Sequence, residues 1–396
     1  MIKLNVHLYL INLLNSIKLK LNKYTIMDLS VVLPCLNEFE TIGMCIKKAK
    51  KQIHKLNIKG EIIVADNGSK DGSIKIAKKL GARVISVKNK GYGNTLRAGI
   101  KSAKGKYILI ADSDDSYNLN DLPKFYKKII KGYDIIQGCR LPAGGGKINY
   151  GAMPITHKLI GNPLFSFLTK ILYRVPFNDV YCGMKILRNT FYKKIDFFST
   201  GMVFCIEILI KSKMNDAKMG ELPITLFKDG RKKNKSHLRT ISDGLKTLKF
   251  IMICSPKLLF FTPGLIFLLS IPFITFIYQS HNETELKRVI LIDFLLLFLM
   301  IQFFMLGIYS ALRAKQMQLY KGKLLNKFFK LFKLPLAISL SIILIISPIL
   351  VKLSGLRFFD ENYDFIILSL ISIMGITLIA NSFFVSLLAI EDKESA

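Results

Sequence analysis

The stretch Ile108–Ser116 reads ILIADSDDS, and it decides the fold class because a short apolar strand ends there in three carboxylates within four residues. Carboxylates that lie so close repel one another unless a cation sits between them. Oxygen ligands at the end of a strand suit Mg²⁺ or Mn²⁺, and such metals commonly bind together with the diphosphate of a substrate. The alternative interpretation is an acidic surface turn. The flanking sequence is needed to decide between a metal site and such a turn.

Strands and helices alternate on the amino-terminal side of this stretch. Short apolar runs predict strands at Leu29–Leu33, Glu61–Ala65, Val84–Val87 and Tyr107–Ala111. The segments between them predict helices at Thr41–Leu56, Gly72–Leu80 and Thr95–Ala103. This alternation predicts an α/β fold, a mostly parallel sheet with helices on both faces. Ligands of such sheets bind beyond the carboxyl ends of the strands.

Polar clusters follow all four predicted strands, at the edge where a ligand would bind. They read PCLNE at residues 34–38, DNGSKDGS at 66–73, NKGYGN at 89–94 and DSDDS at 112–116. Solvation alone does not explain polar clusters at four successive strand ends. The chain contains neither GxxxxGK[ST] nor GxGxxG, which disfavours a P-loop nucleotidase and a Rossmann dehydrogenase.

Long apolar runs dominate the chain beyond about residue 255. They cover Leu258–Tyr278, Val289–Leu312, Leu334–Leu353 and Phe365–Ile390. Each run is near or above the roughly 20 residues that span a bilayer, so we predict an all-α transmembrane domain of four helices at residues 258–396. The rest divides into an N-terminal extension (1–27), an α/β domain (28–235) and a basic, amphipathic juxtamembrane segment (236–257).

The loop Arg313–Lys333 predicts the orientation of these spans. It carries seven basic residues and no acidic one, so the positive-inside rule places it in the cytoplasm. Four spans then put both termini and the α/β domain on the cytoplasmic side of a plasma or inner membrane. Residues 1–26 lack a small-residue cleavage site and do not read as a signal peptide.

The charge balance is strongly basic, with 58 Lys and Arg against 27 Asp and Glu and a net charge of +31. Because the basic residues cluster beside apolar segments, anionic lipid is a better partner than nucleic acid. The six cysteines form no CxxC pair, and a cytoplasmic domain would keep them reduced. The sequence leaves a homo-oligomer open.

The ordered motifs PCLNE (34–38), DNGSKDGS (66–73) and DSD (112–114) resemble those of family 2 glycosyltransferases with the GT-A fold. Further motifs narrow the resemblance to membrane-anchored polyprenyl-phosphate glycosyltransferases, the dolichol-phosphate mannose and glucose synthase group. These are GAMP (151–154), GNP (161–163), DVYCGM (179–184), DGR (229–231) and HLR (237–239). The resemblance covers roughly residues 28–264. One departure is Asn67, where the family commonly has a second Asp.

The resemblance implies a role for each matched residue. The nucleotide pocket would be lined by Pro34, Asn37 and Glu38. Asp66 would accept a hydrogen bond from the base, and Gly93 would let the backbone approach the nucleotide, which a Cβ would obstruct. Asp112 and Asp114 would hold Mg²⁺ or Mn²⁺ on the diphosphate of a UDP- or GDP-hexose. A helix-terminal charge for Glu38 and a locally bonded turn for Asp66 are the structural alternatives.

Basic side chains suggest where an acceptor phosphate binds. Arg140 precedes a glycine-rich loop, and the run 231–239 contains Arg231, His237 and Arg239 shortly before the first span. Arg forks suit phosphate oxygens, although Arg231 could reach the donor diphosphate instead. Two apolar segments with basic ends, residues 158–174 and 246–257, either lie on the membrane surface or pack in a core.

The reaction that follows is an inverting transfer of a hexose to a polyprenyl phosphate, dolichyl or undecaprenyl. A phosphate monoester has its second pKa near 6, so no strong base is required. Asp179 and Glu207 are the candidates if a base or orienting carboxylate exists, and Glu207 could instead pair with a basic residue on a helix. A processive polysaccharide synthase is the first alternative. Such synthases resemble this chain in domain plan but carry a Gln-x-x-Arg-Trp motif, and the chain has no Trp. A non-catalytic membrane scaffold is the second, disfavoured by the intact Asp112 and Asp114.

Overall fold

The computed structural model describes residues 27–231, 240–277, 283–320, 334–356 and 361–394. The chain divides into two compact units, Met1–Thr247 and Leu248–Ala396. This division falls inside the segment predicted to be juxtamembrane. The predicted N-terminal extension and most of the basic loop 313–333 lie outside the described residues, as do His237 and Arg239.

The first unit contains a seven-stranded sheet in the order β3-β2-β1-β4-β7-β5-β8, and β6 and β9 form a small second sheet. The strands are β1 Leu29–Cys35, β2 Gly60–Asp66, β3 Arg83–Ser86, β4 Tyr107–Ile110, β5 Ile135–Cys139, β6 Lys147–Ile148, β7 Lys185–Arg188, β8 Met219–Pro223 and β9 Thr225–Leu226. Strands β1 to β4 run parallel, as the sequence predicts. Only β7 runs antiparallel to its neighbours β4 and β5.

Helices lie between these strands along the chain, and one further helix follows β9. They are α1 Ile42–Lys55, α2 Ser73–Lys79, α3 Tyr92–Ser102, α4 Leu122–Ile129, α5 Asn162–Tyr173, α6 Asn189–Tyr192, α7 Phe204–Met214 and α8 Thr240–Ile253. The side chains of β1 alternate between two cores, because successive strand residues point to opposite faces. Val31 and Leu33 pack with α1 and α4, whereas Val32 meets Gly99 of α3. The sheet therefore has helices on both faces, as predicted.

The antiparallel direction of β7 has a consequence for the site. Lys185, the first residue of β7, lies opposite Ile110, the last residue of β4. The segment that leads into β7 therefore meets the carboxyl ends of the parallel strands. Asp179 and the residues that follow it are brought to the same edge as Asp112 and Asp114.

The second unit contains four helices long and apolar enough to cross a membrane by length and composition. Among the described residues these spans are Lys257–Ile277, Thr284–Gln316, Leu334–Ser354 and Tyr363–Ser386. They contain the helices α9 Thr262–Ile277, α10 Glu283–Gln316, α11 Leu334–Ser354 and α12 Glu361–Glu394 in whole or in large part. Glycines allow these helices to approach closely. A Cβ at Gly375 of α12 would lie 2.9 Å from the carbonyl oxygen of Ser341 in α11, and one at Gly307 of α10 would lie 2.4 Å from the ring of Phe261.

Candidate active site

The three carboxylates after β4 have different surroundings. Asp112 is partly buried, and the hydroxyl of Tyr92 donates a 2.8 Å hydrogen bond to its Oδ1. Burial and the nearby charge of Asp114 raise the pKa of Asp112 to about 6. Asp115 turns away with φ +61°, and the ammonium of Lys48 lies 2.8 Å from its carboxylate. Only Asp112 and Asp114 therefore remain for a metal.

Asp114 is held in a tight local turn. Its Oδ1 accepts hydrogen bonds from the backbone N–H and the hydroxyl of Ser116, at 3.0 and 2.6 Å. The N–H of Gly230 donates to the backbone carbonyl of Asp114 at 2.8 Å. Oδ2 faces the guanidinium of Arg231 at 3.5 Å. The motif DGR thus lies directly against the acidic stretch, which sequence spacing alone does not reveal.

Arg231 joins three carboxylates from separate parts of the chain. Its guanidinium lies 3.1 Å from Glu38 after β1, contacts Asp229 closely, and faces Asp114. The arginine side chain is only 6% exposed. Burial raises the pKa of Glu38 to about 7, against the opposing charge of Arg231. The cluster places Arg231 beside the predicted donor residues. This position favours contact with the donor diphosphate over binding of the acceptor phosphate.

The ends of β1 and β2 are fastened together by side-chain hydrogen bonds. Asn37, with φ +57°, accepts from the N–H of Lys70 through Oδ1 at 2.8 Å, and its own N–H donates to the hydroxyl of Ser69 at 2.9 Å. Asp66 accepts from the N–H groups of Gly68 and Ser69, at 3.1 and 3.0 Å. The carbonyl of Pro34 accepts from the hydroxyl of Ser113. These bonds form a fixed rim beside Asp112.

Asn67 braces the loop after β3. Its side-chain amide donates to the carbonyls of Val87 and Asn89, at 3.2 and 2.9 Å, and its Oδ1 accepts from the N–H of Gly91 at 2.8 Å. A carboxylate could accept but not donate. The departure from the family pattern is therefore compatible with an ordered rim.

Gly93, which the resemblance assigns to the nucleotide pocket, lies against protein backbone on one side. A Cβ at this position would lie 2.3 Å from the carbonyl oxygen of Ser199 and 3.0 Å from that of Gly201. The missing side chain thus lets α3 approach the backbone of the segment 199–201. Within the described residues, close packing of protein against protein is the observed reason for glycine here.

Arg140 and Asp179 are buried and paired with each other. The guanidinium Nε and Nη2 donate to the two carboxylate oxygens at 2.7 and 2.8 Å, and the backbone N–H of Arg140 adds a 2.9 Å bond. The hydroxyl of Tyr117 accepts from Arg140 at 3.2 Å and from the N–H of Gly183 at 2.8 Å. The predicted acceptor-binding arginine and the predicted base are therefore each other's partners.

Glu207 takes the structural role that the sequence left open. It accepts from the N–H groups of Phe198 and Ser199, at 3.0 and 2.9 Å, and from the ammonium of Lys211 at 3.1 Å. The residue is fully buried. It stabilises the segment that packs against Gly93, which is the pairing with a basic residue on a helix that the sequence offers as the alternative to a base.

The donor set suits a hard divalent cation. No group of three or more His, Cys, Asp and Glu side chains is placed to hold a metal in the described part of the chain. Asp112 and Asp114 would supply two carboxylates, and water and substrate phosphate would complete the coordination, as is usual for Mg²⁺. Burial and then the nearby charge of Asp114 raise the pKa of Asp112, and a cation bound between the two carboxylates would act against this rise.

Sequence reasoning missed three residues that shape this site. Tyr92 lies inside the quoted cluster NKGYGN but drew no role, and Tyr117 directly follows the acidic stretch. Lys48 lies on α1, 67 residues before its partner Asp115. A tyrosine between two glycines at a strand end was the only local signal, because the other contacts join distant parts of the chain.

The comparisons with known proteins agree with this architecture. The family profile described as "Glycosyl transferase family 2" matches residues 30–196. A dolichyl-phosphate hexose transferase of Haloferax volcanii is 31% identical over 205 residues, which cover 52% of this chain and 85% of the relative. The chain belongs to glycosyltransferase family 2. As a family 2 member with this fold and these acidic residues, it is a glycosyltransferase.

Two further matches support less: the first relative is matched over only part of its length, and the second shares only 20% of its sequence with this chain. The low-salt glycan biosynthesis hexosyltransferase Agl6 of Haloferax volcanii is 33% identical over 237 residues, 60% of this chain. The chain spans 56% of the length of that relative. A crystal structure of glucosyl-3-phosphoglycerate synthase from Mycobacterium tuberculosis, in complex with phosphoglyceric acid, aligns with 57% of this chain and 79% of its own, at 20% identity and a TM-score of 0.46.

Proposed function

We propose that this glycosyltransferase moves a hexose from a nucleotide-sugar to a polyprenyl phosphate in the membrane. The observation that carries the proposal is the pair Asp112 and Asp114 at the end of β4, beside a rim of polar residues, in a chain with four apolar helices. The Haloferax relatives are named as a hexosyltransferase and a dolichyl-phosphate hexose transferase, which supports both the sugar class and the acceptor.

The donor would bind across the carboxyl ends of β1, β2 and β4. Pro34 and Asn37 form the rim of this pocket, and Glu38 and Asp66 are buried within it. The oxygens of Asp66 already accept two backbone N–H groups, but a carboxylate has about four acceptor positions. A hydrogen bond from a nucleotide base is therefore still available to it.

Asp112 and Asp114 would hold Mg²⁺ or Mn²⁺. Such an ion stabilises the negative charge of a departing nucleoside diphosphate. Arg231, which faces Asp114 in this structure, is close enough to contribute positive charge to the same phosphate groups. The donor site therefore combines carboxylates for the metal with an arginine for the phosphate oxygens.

The acceptor phosphate would attack the anomeric carbon of the sugar. The new bond joins the phosphate oxygen to that carbon, the bond to the nucleoside diphosphate breaks, and the configuration inverts. Because the phosphate monoester is already largely ionised at neutral pH, no protein base has to remove a proton. The buried pairing of Asp179 and the bracing contacts of Glu207 agree with a mechanism that depends on positioning.

The helix α5 offers a surface for the lipid side of the reaction. Its exposed side chains are apolar: Leu164, Phe167 and Ile171 are 44–59% exposed, and Ile160 just before the helix is 64% exposed. Their spacing of three and four residues places them on one helix face. Polar Ser166 and Thr169 point inward instead. An apolar face turned outward, with Lys158 and Lys170 nearby, suits the surface of a membrane.

We propose that the α/β domain lies on the cytoplasmic side of the plasma or inner membrane. The basic, acid-free sequence of residues 313–333 supports this orientation by the positive-inside rule. Nucleotide-sugar and metal would then reach the site from the cytoplasm.

The test is a transfer assay with membranes that contain the protein. A panel of radiolabelled UDP- and GDP-hexoses is incubated with Mg²⁺ or Mn²⁺, with and without a chelator, and the lipids are extracted. One sugar should appear in the lipid fraction, in a product that mild acid releases, and the chelator should abolish it. Label found only in long water-soluble polymer would instead support a polysaccharide synthase.

A further inference from the structure

Lys185, the first residue of β7, carries a buried charge that the site described so far does not use. The residue is only 2% exposed, and it lies opposite Ile110, two residues before Asp112. An ammonium group loses its hydration on burial and normally needs an anion in exchange. The position therefore calls for an anionic partner close to the carboxyl end of β4.

In the part of the chain that the structure describes, the charge of Asp112 acts on Lys185, but the two form no ion pair. Lys185 makes no side-chain hydrogen bond there either, and its ammonium keeps some access to solvent. The other fully buried lysine, Lys211, shows the ordinary arrangement, since its ammonium lies 3.1 Å from Glu207 and donates to the carbonyl of Asp196. Lys185 thus differs from a lysine that merely stabilises the fold.

The local geometry directs Lys185 towards Asp112. A Cβ at Gly183 would lie 2.5 Å from Oδ2 of Asp112, so the side-chain direction at position 183 faces that carboxylate. Lys185 lies opposite Ile110 in the antiparallel pair of β4 and β7, so the two side chains share a face of the sheet at the end next to Asp112. Its positive charge favours the ionised form of Asp112 without forming an ion pair.

We infer that Lys185 binds a phosphate oxygen of the donor's diphosphate next to Asp112, an inference that rests on the proposed function. The bound diphosphate would supply the missing anion. The site would then hold the diphosphate between two protein cations, Arg231 on the side of Asp114 and Lys185 on the side of Asp112. Lys185 would stabilise the charge that builds up on the leaving group as the bond to the sugar breaks.

A lysine that only balances the charge of Asp112 would behave differently when it is replaced. Removing a positive charge beside a metal-binding carboxylate should strengthen the binding of metal. If Lys185 touched no phosphate, the binding of nucleoside diphosphate with metal would strengthen too, or stay the same. If Lys185 binds phosphate, the two affinities should move in opposite directions.

The experiment compares purified full-length wild type with Lys185→Met, which keeps the length of the side chain and removes the charge. Calorimetry measures Mn²⁺ alone, and then UDP and GDP in the presence of Mn²⁺. We expect Lys185→Met to bind Mn²⁺ at least as tightly as wild type. The affinity for the nucleoside diphosphate should fall about ten- to a hundred-fold, the loss of one charge-assisted bond.

Lys48→Met is the matched control, because it removes the same charge next to the same acidic stretch from a lysine that already pairs with Asp115. It should change the nucleoside diphosphate affinity much less than Lys185→Met does, because Lys48 is already paired with Asp115 and is not needed to bind phosphate. Lys185→Gln is the second variant if Lys185→Met unfolds. Unchanged or tighter nucleoside diphosphate binding in a folded Lys185 variant overturns the inference, and so does a failure of both variants to fold.

These titrations do not require transfer, so the inference can stand if the acceptor proves to be something other than a polyprenyl phosphate. If neither UDP nor GDP binds the wild type with Mn²⁺, the proposed donor class is wrong and the inference is rejected with it. A loss of affinity for UDP or GDP in Lys185→Met alone supports the inference whatever the acceptor.

Discussion

The guanidinium of Arg140 and the carboxylate of Asp179 form a two-pronged ion pair at the edge of the catalytic sheet, with side chains 10% and 0% exposed. The pair joins the end of β5 to the segment that enters β7. Tyr117 extends it to Gly183, whose Cα lies against Asp112. A contact between two residues 39 positions apart thus helps to set the position of a predicted metal ligand.

The first prediction concerns the stability of this pair. Arg140→Met leaves Asp179 buried without a counter-charge, which should cost about 3–5 kcal/mol of unfolding free energy. Arg188→Met removes one partner of the pair Arg188–Asp134, whose side chains are 33% and 17% exposed, and it should cost less than Arg140→Met because water still screens this pair. Denaturant unfolding of the purified protein in detergent measures both. Equal losses of unfolding free energy in the two variants would show that the buried pair stabilises the fold no more than the pair Arg188–Asp134 does.

The second prediction concerns the metal. Asp114→Asn removes one of the two carboxylates available for a divalent ion and should abolish sugar transfer without loss of fold. Asp115→Asn is the control, because Asp115 faces Lys48 and its left-handed backbone suits asparagine. It should retain most of the activity. Near wild-type turnover of Asp114→Asn in Mg²⁺ or Mn²⁺ would rule out its role as a ligand.

The third prediction concerns Gly93. Gly93→Ala places a Cβ 2.3 Å from the carbonyl oxygen of Ser199, so the segment 199–201 or the start of α3 has to move. Donor affinity and thermal stability should both fall. Gly201→Ala is the matched control, since no atom lies within 4 Å of the Cβ it would add. If both variants retain wild-type melting temperature and donor binding, the contact is not important.

The sequence predicted the parts of this fold that depend on local pattern. Strands β1 to β4 and the helices between them follow from apolar runs and their polar ends, and the four long helices follow from hydropathy alone. Strand β7 was not predicted, because its antiparallel direction depends on pairing with β4 and β5 rather than on its composition. The position of Lys185 at the active edge was missed for the same reason.

The sequence predicted which residues belong to the candidate site better than it predicted which of them contact one another. Asp112 and Asp114 lie together as the acidic stretch indicates, and Glu38 is near them. Arg140 and Asp179 were assigned separate roles, because a single sequence gives no sign that one neutralises the other. For Glu207 the sequence left two roles open, a base or a helix residue paired with a basic side chain. Its contacts with Lys211 and with the N–H groups of Phe198 and Ser199 correspond to the second role.

The fourth prediction concerns the orientation in the membrane, and it rests on charge in the sequence. In a background without the six native cysteines, a cysteine at position 323 in the basic loop should resist an impermeant thiol reagent in intact cells. A cysteine at position 362, between the last two apolar runs, should react. Lysed cells, in which both should react, are the control. The reverse pattern would place the catalytic domain outside the cytoplasm.

The last prediction separates the two arginines of the basic run. Arg231 lies 3.5 Å from Asp114 and 3.1 Å from Glu38, so Arg231→Ala should change the binding of metal and nucleoside diphosphate. Arg239, eight residues further along the chain, is predicted from the sequence to hold the acceptor phosphate. Arg239→Ala should therefore lower apparent acceptor affinity about ten- to a hundred-fold, the loss of one charge-assisted contact, with donor binding unchanged.

Calorimetry with nucleoside diphosphate and metal, together with transfer rates at increasing lipid concentration, measures both effects in the same preparations. The two variants remove the same charge from positions close in sequence, so each is the control for the other. If the two arginines serve separate sites, the two variants should give opposite profiles. If Arg239→Ala weakens nucleotide binding as much as it weakens acceptor use, the whole basic run belongs to the donor site, and the acceptor phosphate has to be bound elsewhere.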